Sequence, residues 1–160
     1  MAGTITPRAF VLFVCDIQAS RAFYETLLGQ KVVIDHGPNI GFEGGFALWQ
    51  AEHAARTIFE HPLMDGCKNG RDNCELYFEA EDIAHEWQRL NAAGAEMVHP
   101  LREQPWGQQV FRLYDPDGHI VEIGEPMSVV IQRLLAQGMT AEEVAQHTSM
   151  PLEVVQHFAG

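Results

Sequence analysis

Two acidic residues stand inside apolar stretches: Glu75 before Leu76-Tyr77-Phe78, and Glu122 within His119-Ile120-Val121-Glu122-Ile123. Both stretches read as β-strands. Alternate strand residues share a face, so Glu75 goes with Tyr77 and Glu122 with Ile120. A carboxylate on a buried face needs a cation, a metal or a hydrogen-bond donor. Two solutions are open. One is an ion pair, for which Arg112 on the neighbouring strand suits Glu122. The other is a ligand or metal site. Core packing is the plain reading of the aromatic side chains Trp49, Tyr77 and Trp106.

Other chemistries lack their motifs. The chain has no GxGxxG or GxxxxGK, and Gly41-Phe-Glu-Gly-Gly45 has glycines without lysine and lies between strand candidates. No GxSxG nucleophile elbow and no HExxH occur. Cys15, Cys67 and Cys74 are an odd number without CxxC spacing, which reads as ordinary reduced thiols and a cytoplasmic protein.

The elements that must carry these residues repeat. Val11 to Cys15 is an apolar strand, Asp16-Ile17 starts a helix running to Leu28, Gly29 stops it, and Lys31 to Ile34 returns to a strand. Leu76 to Ala80, Asp82-Ile83, a helix to Ala93, Gly94 and Glu96 to Val98 repeat the order. Two more strand candidates follow each time, Gly37 to Phe42 with Phe46 to Gln50, and Gln108 to Tyr114 with His119 to Ile123. Asp115-Pro-Asp-Gly118 turns the last pair, since proline fixes φ and glycine accepts positive φ. The expected fold is α+β: tandem βαβββ modules, about 5–50 and 74–124, forming a curved mixed sheet. Residues 51–73 connect them as a loop or short irregular helix. A domain over 1–126 is followed by a helical C-terminal extension over 127–160, with a capping box at Thr140 and Glu143.

Charge narrows the partners. Ten Lys and Arg against 22 Asp and Glu give a formal net charge of −12, which opposes nucleic acid and anionic membrane and favours a cationic small molecule. The extension superficially resembles a helix-turn-helix, but from Ser128 onward it has Arg133 as its one Lys or Arg against Glu142, Glu143 and Glu153. No apolar run approaches the roughly 20 residues that span a bilayer.

Phe10-Val-Leu-Phe-Val-Cys-Asp-Ile-Gln-Ala-Ser-Arg-Ala-Phe-Tyr-Glu-Thr-Leu-Leu-Gly29 resembles the opening module of the vicinal oxygen chelate superfamily. That superfamily includes glyoxalase I, bleomycin-resistance proteins, extradiol dioxygenases and methylmalonyl-CoA epimerase. Leu76-Tyr-Phe-Glu-Ala-Glu-Asp-Ile83, Gln104-Pro-Trp-Gly107 and Tyr114-Asp-Pro-Asp-Gly-His-Ile-Val-Glu122 match the second module. The resemblance covers about residues 5–125 and speaks to fold more than reaction. It implies Glu122 as a last-strand metal ligand, and Glu75 where the second module has its first-strand His or Glu. The first module departs, with Ala9 where a His often stands and Trp49 (or the adjacent Gln50) where a Glu would. Two carboxylates without imidazole make a weak site for Zn²⁺, Ni²⁺, Mn²⁺ or Fe²⁺. His36, His61 and His99 read as solvated side chains.

The resemblance therefore implies a metal-free small-molecule binder, used in resistance or sequestration, with Trp49, Glu75, Tyr77, Trp106, Arg112 and Glu122 around its cavity. The alternative is a divalent-metal lyase, isomerase or epimerase of the glyoxalase I kind, with Glu75 and Glu122 on the metal and one carboxylate, Glu122 as the catalytic residue, shuttling a proton at carbon beside a carbonyl. A homodimer is expected in either case.

Overall fold

The computed structural model describes residues 8–63 and 74–159. They form two compact units. The first takes the described residues 8–63 with the short segment 115–119, and the second takes 74–114 with 120–159. Each contains a four-stranded mixed sheet and helices, the expected α+β class.

In the first unit, β1 (Phe10–Val14), α1 (Ile17–Arg21), β2 (Val32–Asp35), β3 (Asn39–Phe42), β4 (Phe46–Gln50) and α2 (Ala51–Phe59) follow in order. The sheet order is β1-β4-β3-β2, with β1 parallel to β4 and the other pairs antiparallel. Alternation decides the faces. Leu12, Val14, Ile40, Phe42, Phe46 and Leu48 are buried, and Phe42 stacks on Phe46 at 4.6 Å between centroids. Helix α1 starts where Asp16 Oδ1 accepts the backbone N–H groups of Gln18 and Ala19. It runs on into a wider turn over Ala22–Leu27, in which Leu28 N–H reaches back five residues to the Phe23 carbonyl.

Segment 51–63 departs from the loop or irregular helix expected of it. Ala51, Ala54 and Ala55 form one buried small-residue face, and α2 is a regular helix packed on β1 and β4. Residues 64–73 of that connector lie outside the described residues. Cys15 is disulfide-bonded, which corrects the expectation of reduced thiols throughout, whereas Cys74 is a free thiol.

The Asp115–Gly118 turn does more than reverse the chain. Asp115, 4% exposed, accepts the backbone N–H groups of Asp117 and His119 on Oδ1 at 2.9 and 2.8 Å. Its Oδ2 accepts the Tyr24 hydroxyl and faces His119 Nδ1, both at 2.9 Å. Asp117 accepts the Cys15 backbone N–H at 2.8 Å and the Ser20 hydroxyl at 3.1 Å. Both carboxylates thus grip the segment at and after the end of β1.

In the second unit, β5 (Glu75–Glu79), α3 (Ile83–Ala92), β6 (Met97–Glu103), β7 (Gln109–Tyr114) and β8 (Ile120–Gly124) precede three helices, α4 (Met127–Ala136), α5 (Ala141–Thr148) and α6 (Leu152–Ala159). The order is β5-β8-β7-β6, with β5 parallel to β8. Leu76, Phe111, Leu113, Val121 and Ile123 share the buried face, with Ile83 and Leu90 of α3 also buried. Strand β6 continues past Pro100, which its edge position and two register shifts allow. The three last helices close on Val130, Ile131, Leu134, Val144 and Val155, and the Thr140–Glu143 capping box is present. Among the described residues no helix is long and apolar enough to cross a membrane.

The Asp115–His119 pair carries a pH signature. Burial opposes the charge on His119, yet the Asp115 hydrogen bond and charge outweigh it and raise the His119 pKa. Burial likewise pushes Asp115 up, and the His119 hydrogen bond and charge outweigh that and hold it below its usual range. The His119 contribution is therefore complete below the unfolded value of about 6.5 and lost as pH rises through the raised value. The stability difference between wild type and His119→Asn, read by urea unfolding, is expected to shrink above about pH 6.5. A pH-independent difference from pH 5 to 9 would contradict the pairing.

Candidate functional site

The second unit presents a polar sheet face opposite its core. Register puts Tyr77 beside Glu122 and Glu122 beside Arg112, while Glu75 pairs with Ile120 two residues along the same face. The Arg112 guanidinium stands between the two carboxylates. Its Nε donates to Glu75 Oε2 at 2.9 Å, and its Nη2 forms a direct ion pair with Glu122 Oε2. Side-chain exposure falls from 39% at Glu75 to 21% at Arg112 and 8% at Glu122, so the pair becomes drier towards Glu122. The ion pair that the sequence left open for Glu122 is present.

His99 completes the group, and the expectation of a solvated loop side chain missed it. Arg112 Nη1 donates to His99 Nε2 at 3.1 Å, and His99 Nδ1 donates to the Pro100 carbonyl at 2.8 Å. Those partners place the ring proton on Nδ1. The signal in the sequence was weak, because Pro100 argues against a strand that in fact carries His99 beside Arg112.

A second group lies along the same face. The Tyr77 hydroxyl donates to Glu79 Oε1 at 3.0 Å and accepts from Gln108 Nε2 at 2.9 Å. Gln108 Oε1 accepts the Trp106 indole N–H at 2.9 Å. Gln108 is buried, while the rings of Tyr77 and Trp106 remain 47% and 38% exposed as residues. Both rings stand out in the sequence as aromatic side chains, whereas the Gln108 amide that joins them does not. Nothing in the spacing of Trp106 and Gln108 announces a partner 31 residues away.

Trp49 belongs to the first unit. Its indole N–H donates to His53 Nδ1 at 2.8 Å and its ring meets Phe13 edge-on.

Glu75 and Glu122 do not fit a divalent metal as they stand. A permanent cation already sits against both carboxylates, and an ion would have to displace it. Among the described residues no three His, Cys, Asp or Glu side chains gather as ligands. The face still carries three carboxylates, Glu75, Glu79 and Glu122, against the Arg112 guanidinium. That excess favours a cationic ligand, and the exposed rings offer it aromatic faces.

With this geometry in place, the match to known proteins is decisive for family. The model of the glyoxalase-like domain matches residues 8–128. The chain belongs to that family. It is thereby placed in the glyoxalase/bleomycin resistance/dioxygenase group, the vicinal oxygen chelate superfamily. None of the curated proteins matches it. A protein of unknown function from Agrobacterium tumefaciens str. C58 is 40% identical, with a TM-score of 0.70 over 79% of this chain and 97% of that one. A glyoxalase/bleomycin resistance protein/dioxygenase from Nocardioides is 25% identical, with a TM-score of 0.62 over 78% of this chain and 85% of that one. A lactoylglutathione lyase from Agrobacterium tumefaciens, 22% identical with a TM-score of 0.60 over 78% and 96%, shares the fold. The glyoxalase-like match ends just inside α4, so most of the helical extension lies beyond it.

The phenol of Tyr77 gives a direct test of this face. Burial, then the hydrogen bond and charge of Glu79, push its pKa up to about 12. An absorbance titration of wild type minus Tyr77→Phe is expected to show a midpoint near 12, lowered by Glu79→Gln. A midpoint at the ordinary value of about 10 would contradict the enclosure of the hydroxyl.

Proposed function

We propose that the protein binds a cationic small molecule without a metal, in the manner of resistance or sequestration proteins of its superfamily. The supporting observation is the Arg112 guanidinium between Glu75 and Glu122, the two positions where the resemblance sets metal ligands. A fixed guanidinium balances the carboxylates but supplies no Lewis acid and no open coordination position. What remains at the face is a negative surface with two exposed rings, Tyr77 and Trp106, suited to stacking and cation–π contact. The chain's formal charge of −12 adds long-range attraction for a cation.

A homodimer is part of this proposal, supported by the exposed apolar side chains Val33, Ile34, Ile58 and Phe59. So is a cytoplasmic location, although the disulfide at Cys15 is uncommon in a reducing compartment.

Elemental analysis of protein purified without chelator is expected to find no stoichiometric Zn, Ni, Mn or Fe. Titration with bleomycin as a cationic aromatic probe is expected to quench tryptophan fluorescence and raise the melting temperature. One tightly held divalent ion per chain would overturn the proposal in favour of a metal-dependent lyase, isomerase or epimerase.

Glu122→Gln separates the same two roles. It is expected to lower stability by about 1–3 kcal/mol, the scale of a weakened buried polar contact, with metal content unchanged. Loss of a bound ion in that variant would contradict the reading.

A further inference from the structure

We propose that Arg133, on the helical extension, is a positioning residue for the ligand wall, setting where Tyr77 and Trp106 stand through Glu125 and Gln108. The proposal rests on the reading above that these rings hold the ligand. It concerns a residue beyond the glyoxalase-like match, which ends at residue 128.

The connection is continuous. Arg133 Nη2 donates to Glu125 Oε2 at 2.9 Å and to the Gly107 carbonyl at 2.6 Å. The same Glu125 oxygen accepts the Gln109 backbone N–H at 2.8 Å, which holds the start of β7. The Glu125 carbonyl accepts from Gln108 Nε2 at 2.8 Å. Gln108 then donates to the Tyr77 hydroxyl and accepts the Trp106 indole N–H, each at 2.9 Å. Its amide has one orientation that satisfies all three partners, because a flip would set N–H against indole N–H.

Packing closes the remaining freedom. A Cβ on Gly124 would lie 2.8 Å from Gln108 Nε2 and 3.0 Å from Tyr77 Cε2, so the amide and the phenol ring lie directly on that glycine. A Cβ on Gly107 would lie 3.2 Å from the His147 ring and 3.3 Å from Leu134 Cδ1. The loop carrying Trp106 is thus pressed on α4 and α5 as well as tied to Arg133.

Folding of the extension does not call for this arginine. Its three helices close on an apolar core of their own. A buried ion pair contributes little net stability over apolar packing, and the buried Arg133 Nε has no hydrogen-bond partner among the described residues, which costs free energy. What the guanidinium adds is direction: one group fixes a carboxylate of the strand end and a carbonyl of the aromatic loop together.

The test uses the full chain, labelled with ¹⁵N and ¹³C, and needs no ligand. In Arg133→Met the Trp106 indole N–H cross-peak is expected to shift upfield as its hydrogen bond weakens. Gly124 Hα is expected to lose the ring-current shift imposed by Tyr77, while the indole peaks of Trp87, in α3, and Trp49, in β4, hold. Gln108→Leu, which leaves the extension untouched, should reproduce both changes. Where Arg133→Met does not fold, Arg133→Lys is read by the same criteria, with smaller shifts.

Trp106 and Gly124 signals unchanged from wild type would overturn the proposal. So would equal movement of all three indoles, which marks general loosening. A wild type that fails to bind bleomycin counts against the ligand reading and leaves this positioning test intact.

Discussion

The polar face of the second unit depends on one guanidinium held by two carboxylates. Without Arg112, Glu122, at 8% side-chain exposure, would lose its counterion. With Arg112 in place, the Glu122 side chain has a counter-charge on a nearly dry strand and Glu75 is drawn to the same group. His99 is aligned by the third nitrogen of that guanidinium. The polarity of the face follows from this arrangement.

The fold supplies that arrangement through strand register. Arg112 on β7, Glu122 on β8 and Tyr77 on β5 share one row, so their side chains point the same way. Gly124, two residues on, leaves room for the Tyr77 ring and the Gln108 amide, where any side chain would intrude. The helical extension then ties down the loop at Gly107 through Arg133.

Period and punctuation made the repeated elements legible. Apolar alternation, Asp16 and Asp82 at helix starts, and Gly29 and Gly94 at helix ends are local signals, and the structure follows them. Long-range partners were not legible. Asp115 and Asp117 read as turn residues, whereas their side chains reach Tyr24 and Ser20, 91 and 97 residues away. Pro100 hid the length of β6 and with it the position of His99. Arg133 counted as one charge in an acidic tail, although it pairs with Glu125 at 7% side-chain exposure. Glu75 and Glu122 were visible because carboxylates interrupt apolar strands. Which cation answers them is a matter of register, and register emerges only when strands pair.

The most direct measurement is a crystal structure grown with excess Mn²⁺ or Ni²⁺, with anomalous scattering recorded near the metal edge. The account predicts the Arg112 guanidinium between Glu75 and Glu122 and no anomalous peak beside them. A peak coordinated by both carboxylates, with Arg112 swung away, would contradict it.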